Sequence, residues 1–263
     1  MHFINHLGNR GVDFLHPGGK KSTEFLVNEI IKNNPKSILE LGCGTGATLV
    51  SLAAYNINQL IGIDVSNSQI SMANKRLKYC GLENFIQLFV TEESGQINFS
   101  DNSFDVVFAE SVLGVLEHDT LIKMILETKR VLKPNGIFLT NDAIWGPLTS
   151  LDTIKSINNR AMKDFGLVQS SEKLIGKDDW ETFFKSFGFK SCKVFEINSL
   201  KKNENTKLSQ LEQKSNDFTS KQKRYSLLNP IQLFKEFIYR IKLKLFHQND
   251  GVYLESYVFI LQA

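Results

Sequence analysis

The segment Ile38-Leu39-Glu40-Leu41-Gly42-Cys43-Gly44-Thr45-Gly46, followed by Ile61-Gly62-Ile63-Asp64, constrains this chain more than any other. The first run reads as a buried strand, its three glycines as a tight turn opening a helix, and the second run as another strand that ends in a carboxylate. Such a turn carries no side chains where the backbone-hugging part of a ligand must lie. Asp64, about 20 residues on, is placed to take two hydroxyls of a ribose. The combination predicts a nucleoside site.

Glycine spacing narrows which nucleoside. A dinucleotide fingerprint is G-x-G-x-x-G, because a pyrophosphate must sit on the helix N-terminus where unpaired N–H groups point at it. Here Gly42, Gly44 and Gly46 are spaced G-x-G-x-G, with Glu40 just before them. A carboxylate there would repel a pyrophosphate but suits a ligand that carries an ammonium and a sulfonium. The segment resembles motif I of the class I S-adenosylmethionine-dependent methyltransferases, and two further stretches follow in that family's order. Asp101-Asn102-Ser103-Phe104-Asp105-Val106-Val107 is similar to its acidic turn into the fourth strand, and Arg130-Val131-Leu132-Lys133-Pro134-Asn135-Gly136 to its turn into the fifth. The resemblance covers residues 36 to 142, with a weaker tail at 180–189 and 257–261.

The resemblance implies S-adenosyl-L-methionine as methyl donor and a Rossmann-like, doubly wound α/β fold: a seven-stranded, mostly parallel sheet whose last strand is antiparallel. It implies that Gly42, Cys43, Gly44 and Gly46 shape the cofactor turn, that Asp64 and Val65 border the ribose, and that Glu40 favours the cationic end. The residue after the third strand holds the adenine edge in this family, and counting back from Phe99 lands on Glu93 and Ser94. Asp-Ala is common at that place and Asn98 replaces a usual Pro, so Glu92 is a competing candidate. Glu110, at the end of the fourth strand, is a candidate for the methionine end or for the acceptor.

Strands and helices alternate along the chain, which argues for a parallel sheet covered on both faces. The pattern places a helix at 22–31 and another at 45–54, and gives Ser66-x-x-Gln69 the form of a capping box. Strands follow at 84–90, 104–109 and 136–140, with a helix at 121–132. Trp180, Phe183, Phe184 and Phe187 recur at helical spacing, with Asp178 or Asp179 as cap and Gly188 as stop. Residues 190–197 and 252–261 read as the last two strands, but about fifty residues separate them, far more than a hairpin loop contains. Residues 201–247 hold eleven Lys/Arg against four Asp/Glu, so a net +7 piece sits in a chain whose total is +3. The expected organisation is an N-terminal cap over 1–35, a cofactor domain over 36–198 and 250–263, and a basic helical insertion over 199–249. Lys201 to Arg224 is polar and reads as mobile.

Asn229-Pro230 makes a helix start, Asn as N-cap and Pro at the first position. From there Phe234, Phe237, Ile238, Ile241 and Leu245 share one face, flanked by Lys235 and Lys242 on one side and Arg240 and Lys244 on the other. That face reads as a lid packed over the acceptor, or, for 229–246, as a peripheral contact with an anionic membrane surface.

Cys43, Cys80 and Cys192 are odd in number and far apart, which argues against a disulfide framework or a zinc site and for a reducing, cytoplasmic setting. The N-terminus lacks a signal-peptide pattern, and no run is long enough to span a bilayer. At 263 residues and 42% hydrophobic, one full α/β core with a modest addition is expected.

Methyl transfer from a sulfonium needs mainly alignment and exclusion of water, and a base only when the acceptor's proton must leave. The candidates for such a base are Glu110, His16 in His16-Pro17-Gly18-Gly19, His118, and Asp142 after the fifth strand. His16 equally suits a turn before a helix, and His118 a helix start. No spaced cluster of ligands supports a metal. The Asn/Asp-Pro-Pro-aromatic signature of nucleobase N-methylation does not follow the fourth strand, so the expected acceptor is a small or lipid-like metabolite rather than nucleic acid. A macromolecular substrate, RNA or protein, held by the basic insertion, and a non-catalytic relative that only binds the cofactor are the alternatives.

Overall fold

A computed structural model describes residues 6, 8, 18–92, 94–200, 209–248 and 253–263. In chain order the elements are α1 (Gly19–Ile31), β1 (Ser37–Leu41), α2 (Ala47–Leu52), β2 (Gln59–Asp64), α3 (Asn67–Cys80), β3 (Ile86–Val90) and β4 (Phe104–Glu110). A single 3₁₀ turn (Leu113–Val115), α4 (His118–Val131), β5 (Leu132–Trp145), α5 (Leu151–Phe165), α6 (Lys177–Ser186) and β6 (Ser191–Glu196) follow. Two insertion helices, α7 (Gln210–Leu227) and α8 (Pro230–Gln248), precede β7 (Leu254–Gln262).

The seven strands form one sheet in the order β3-β2-β1-β4-β5-β7-β6, with β7 antiparallel to both of its neighbours. All five residues of β1 are buried, because β1 pairs in parallel with β2 and β4 and is covered on both faces. Alternation along the strands divides the core. Leu39, Ile61 and Val107 point to the side of α4 and α6, among Leu121, Ile125, Trp180 and Phe184. Ile38, Leu60 and Val106 point to the side of α1, α2 and α3, among Leu26, Leu49 and Ile70. The strand order runs outward in opposite directions from β1 and β4, and at this switch point the connections leave to opposite sides, which opens a crevice at the carboxyl ends of these strands.

Several expected boundaries hold locally. Ser66 Oγ accepts from the Gln69 N–H at 3.3 Å and caps α3, and Asn229 Oδ1 accepts from the N–H groups of Ile231 and Gln232 at the start of α8. Helix α6 differs: its N-cap is Gly176, and Asp179 reaches back to accept from the Gly176 N–H at 3.1 Å. No motif announces α5, but Ile154, Ile157, Ala161 and Phe165 recur on its buried face and Ser150 caps it through the Thr153 N–H.

The insertion departs from expectation in two ways. Residues 210–224 are helical rather than mobile: α7 opens with a reciprocal cap between Ser209 and Glu212 and docks on α3 through a fully buried arginine. Arg76 donates to the Thr45 carbonyl at 2.9 Å, to the Ser215 carbonyl and hydroxyl, and to Thr219 Oγ1, with Phe218 stacked on its guanidinium. The second departure is the face that α8 buries. It packs through Tyr239, Leu243 and Phe246 against α5, whereas Phe234, Phe237, Ile238 and Ile241 of the expected face are exposed and the Leu245 side chain lies outside what is described. Both stripes are apolar at helical spacing, and the periodicity alone did not say which one meets the body.

Arg76→Met preserves length while removing every donor, so the buried Thr45 and Ser215 carbonyls lose a partner at a cost of about 1–3 kcal/mol each. The expected result is a lower melting temperature with α7 the first helix cut in limited proteolysis. An unchanged melting temperature with α7 equally resistant would contradict this account of how the insertion is held.

Candidate functional site

A cavity of about 1160 Å³ runs from the carboxyl ends of β1, β2 and β4 to the space between α5 and α8. Its floor is the glycine turn. Gly42 has φ +66° and a Cβ there would lie 2.5 Å from Val112 Cγ2, so the position admits no side chain. Gly44 has φ +52°, and its N–H donates to Asp64 Oδ2 at 2.9 Å. Cys43 lies between them, its N–H bonded to the Ile63 carbonyl at 2.9 Å. Gly46 stands behind the turn, where it caps α2 and faces Ala73, and does not line the cavity.

Three carboxylates converge on this end. Asp64 accepts from Gly44 through one oxygen and from the Ser66 N–H through the other at 2.8 Å. Burial raises its pKa and the two N–H groups work against that rise. Glu40 is 3% exposed, lines the cavity, and has one buried oxygen, Oε2, that meets no hydrogen-bond partner among the described residues. Burial, and then the charges of Glu110 and Asp64, push its carboxyl well above the usual range. An unmatched buried acceptor of this kind is completed by a cationic or N–H-bearing ligand. Glu110 is held by two hydroxyls, Thr23 Oγ1 from α1 at 2.8 Å and Thr48 Oγ1 from α2 at 2.7 Å. Neither threonine carries a sequence signal, because the contacts join residues far apart in the chain.

Val65, Thr91, Glu92, Gln96 and Ile97 line the same end beyond Asp64. Ser94 is exposed, its hydroxyl accepting from the Gln96 N–H, and it does not line the cavity. Glu93 lies outside the described residues, and so does His16. The other end of the cavity is apolar. Met162 and Phe165 from the end of α5, Leu167 and Val168 just after it, Leu243 and Phe246 from α8, and Leu254 from β7 form its wall, with Gln169, Asn198 and Glu255 as polar points. Sequence motifs do not reveal this wall, since its residues come from the helix that no motif marks and from the packed face of α8.

His118 and Asp142 do not line the cavity. His118 opens α4 and packs against Phe183. Asp142 is 2% exposed and anchors the 3₁₀ turn: Oδ1 accepts from the Gly114 N–H at 3.0 Å and Oδ2 from the Thr140 hydroxyl. Burial lifts its pKa to about 6 in spite of those donors. Among the described residues no three His, Cys, Asp or Glu side chains gather to hold a metal ion, and no helix is long and apolar enough to cross a membrane.

The Asp142 shift carries a sign. Its folded pKa lies above the unfolded one, so the stability it contributes is complete below about pH 4 and is lost as pH rises to about 6, by about 3 kcal/mol at most. Asp142→Asn, whose oxygen still accepts from Gly114 and whose amide can donate to Thr140, should remove that slope. A melting-temperature profile between pH 4 and 7 checks it, and an equal slope in both proteins would assign the titration elsewhere.

The chain resembles known proteins in sequence and in fold. Residues 39–140 match the family model described as a methyltransferase domain. A Haemophilus influenzae protein of uncharacterized function is 30% identical over 191 residues, 73% of either chain. A sterol 24-C-methyltransferase of Gibberella zeae is 32% identical over 114 residues, which cover 43% of this chain and 29% of that enzyme. Among solved structures, an S-adenosylmethionine-dependent methyltransferase from Thiobacillus denitrificans in complex with S-adenosyl-L-homocysteine superposes with a TM-score of 0.61 at 15% identity, covering 98% of this chain and 97% of that one. The glycine turn, the carboxylate at the end of β2, the sheet order and these matches together make the chain a member of the class I S-adenosylmethionine-dependent methyltransferases.

Proposed function

We propose that this methyltransferase acts on a small, apolar or lipid-like metabolite that sits in the chamber between α5 and α8. The apolar wall of that chamber, continuous with the crevice at the glycine turn, is the observation that carries the reading. The match to a sterol methyltransferase supports it.

The residues at the turn fit the donor. The glycine floor leaves room for a ligand's backbone-hugging portion, and the unmatched Glu40 oxygen calls for a cationic or N–H-bearing group. In the proposed arrangement Gly42, Cys43 and Gly44 form the floor, Asp64 receives the ribose hydroxyls, Val65 and Glu92 border the nucleoside, and Glu40 attracts the cationic end. Glu110 shares that end, fixed by Thr23 and Thr48 so that it spends no conformational freedom on binding. S-adenosylmethionine bound there supplies an activated methyl group for in-line displacement. The chain's own part is then to align the acceptor and exclude water: Phe165, Leu243 and Phe246 close the chamber, with α8 as its wall. No base is assigned: an acceptor that loses no proton on methylation needs none, and one that does must pass its proton to a nearby carboxylate or to water.

Two measurements test the reading. Asp64→Asn should weaken S-adenosylhomocysteine about 10- to 150-fold, since a hydrogen bond to a charged group is worth roughly 1.5–3 kcal/mol. Calorimetry decides it: tight binding of NAD by the wild type, or unchanged affinity in the variant, would sink the donor-site assignment. Transfer of a labelled methyl group into a fractionated cell extract should mark an organic-soluble compound identifiable by mass, and Leu243→Gln should lower kcat/KM for it about tenfold while product affinity stays the same. Label appearing only in protein or RNA would overturn the acceptor class.

A further inference from the structure

Helix α8 carries two apolar faces, and only one of them has a partner among the described residues. Tyr239, Leu243 and Phe246 pack against α5 and the cavity. At about 100° per residue, the stripe formed by Phe234, Phe237, Ile238 and Ile241 lies on the opposite side of the helix. It faces solvent: Phe234 is 66% and Phe237 60% exposed. Ile231 and Leu228, 67% and 79% exposed, lengthen the patch toward α7. A run of large aromatic and aliphatic side chains this open is uncommon on a chain that stays free in water.

Basic residues border the stripe on both sides. Lys235 and Lys242 lie along one edge, Arg240 and Lys244 along the other. Arg240 pairs with Glu236 and Lys242 reaches Asp164, while Lys235 and Lys244 are exposed. An apolar stripe between two basic borders is the pattern of a helix that lies in the plane of a lipid–water boundary: the ring and aliphatic groups enter, and the long basic stems carry their charge to the headgroups. The surrounding segment, 201–247, has the opposite sign of an anionic surface at net +7. A second copy of this chain fits less well, because a twofold contact through the same patch would set the basic borders of one copy against those of the other.

We propose that the exposed face of α8 docks this protein on an anionic lipid surface. Its packed face walls the chamber, so docking sets that wall beside the bilayer. The docking stands without the acceptor assignment; only its use, loading an apolar acceptor directly from the membrane, rests on that reading.

Flotation of the full chain with vesicles tests the proposal. Vesicles of phosphatidylcholine with a fraction of phosphatidylglycerol should carry the wild type upward at low salt, and phosphatidylcholine alone should carry little. Raising the salt should weaken flotation. Phe237→Asp combined with Ile241→Asp should abolish it, and Lys235→Glu or Lys244→Glu should each lower partitioning about fivefold or more. All variants should keep the wild-type affinity for S-adenosylhomocysteine, which shows that they fold. A wild type that stays below the anionic vesicles, or a double aspartate variant that floats as well as the wild type, would overturn the proposal. A concentration-dependent dimer in sedimentation that Phe237→Asp dissolves, with no flotation, would give the face to a second copy instead. A water-soluble methylated product alongside intact flotation would fail the acceptor reading alone.

Discussion

The carboxylate of Asp64 joins the parts of this molecule that must act together. It ends β2, accepts from the Gly44 N–H in the turn after β1, and accepts from the Ser66 N–H that opens α3. Together with the Cys43 N–H bound to the Ile63 carbonyl, these contacts lock the turn against the neighbouring strand. The turn can be so tight because positive φ at Gly42 and Gly44 costs glycine little. A group proposed to receive the ribose is therefore also part of the scaffold, and the site is organised before any ligand arrives.

The second organising feature is the buried guanidinium of Arg76. Its donors reach the Thr45 carbonyl between Gly44 and Gly46 and the Ser215 carbonyl in α7, so one side chain ties the insertion to the glycine turn. The insertion is thereby part of the body. Helix α7 lies on α2 and α3 at the turn side, and α8 crosses to α5 and closes the far end of the cavity. The glycine-turn end and the apolar chamber are thus built from different chain segments joined through one insertion.

What could be read from the sequence was local. The strand, glycine turn and acidic strand end are contiguous, and their chemistry depends on spacing, so Glu40, Gly42, Gly44 and Asp64 could be named in advance and lie together on the cavity. Ser66 and Asn229 likewise cap the helices their positions predicted. Long-range partners were not legible. Nothing in the sequence around Ser215 and Thr219 says that they will meet an arginine from α3, which is why residues 210–224, polar and read as mobile, form a docked helix, while residues 201–208 of that stretch lie outside the described residues. The two apolar stripes of α8 show the same limit in another form, since hydrophobic spacing reveals a face but not what covers it. Asp142 is expected just past the fifth strand, but β5 runs on to Trp145, so Asp142 lies inside the ladder with β7 and its carboxylate holds the 3₁₀ turn instead.

In the proposed arrangement one continuous cavity holds the donor at the glycine turn and the acceptor between α5 and α8. A crystal structure with S-adenosylhomocysteine bound tests it most directly. Ribose hydroxyls on Asp64, the amino group near Glu40, and the sulfur turned toward the chamber walled by Phe165, Leu243 and Phe246 are the expected result. A ligand whose sulfur faces away from that chamber, or whose adenine fills it, would rule the arrangement out.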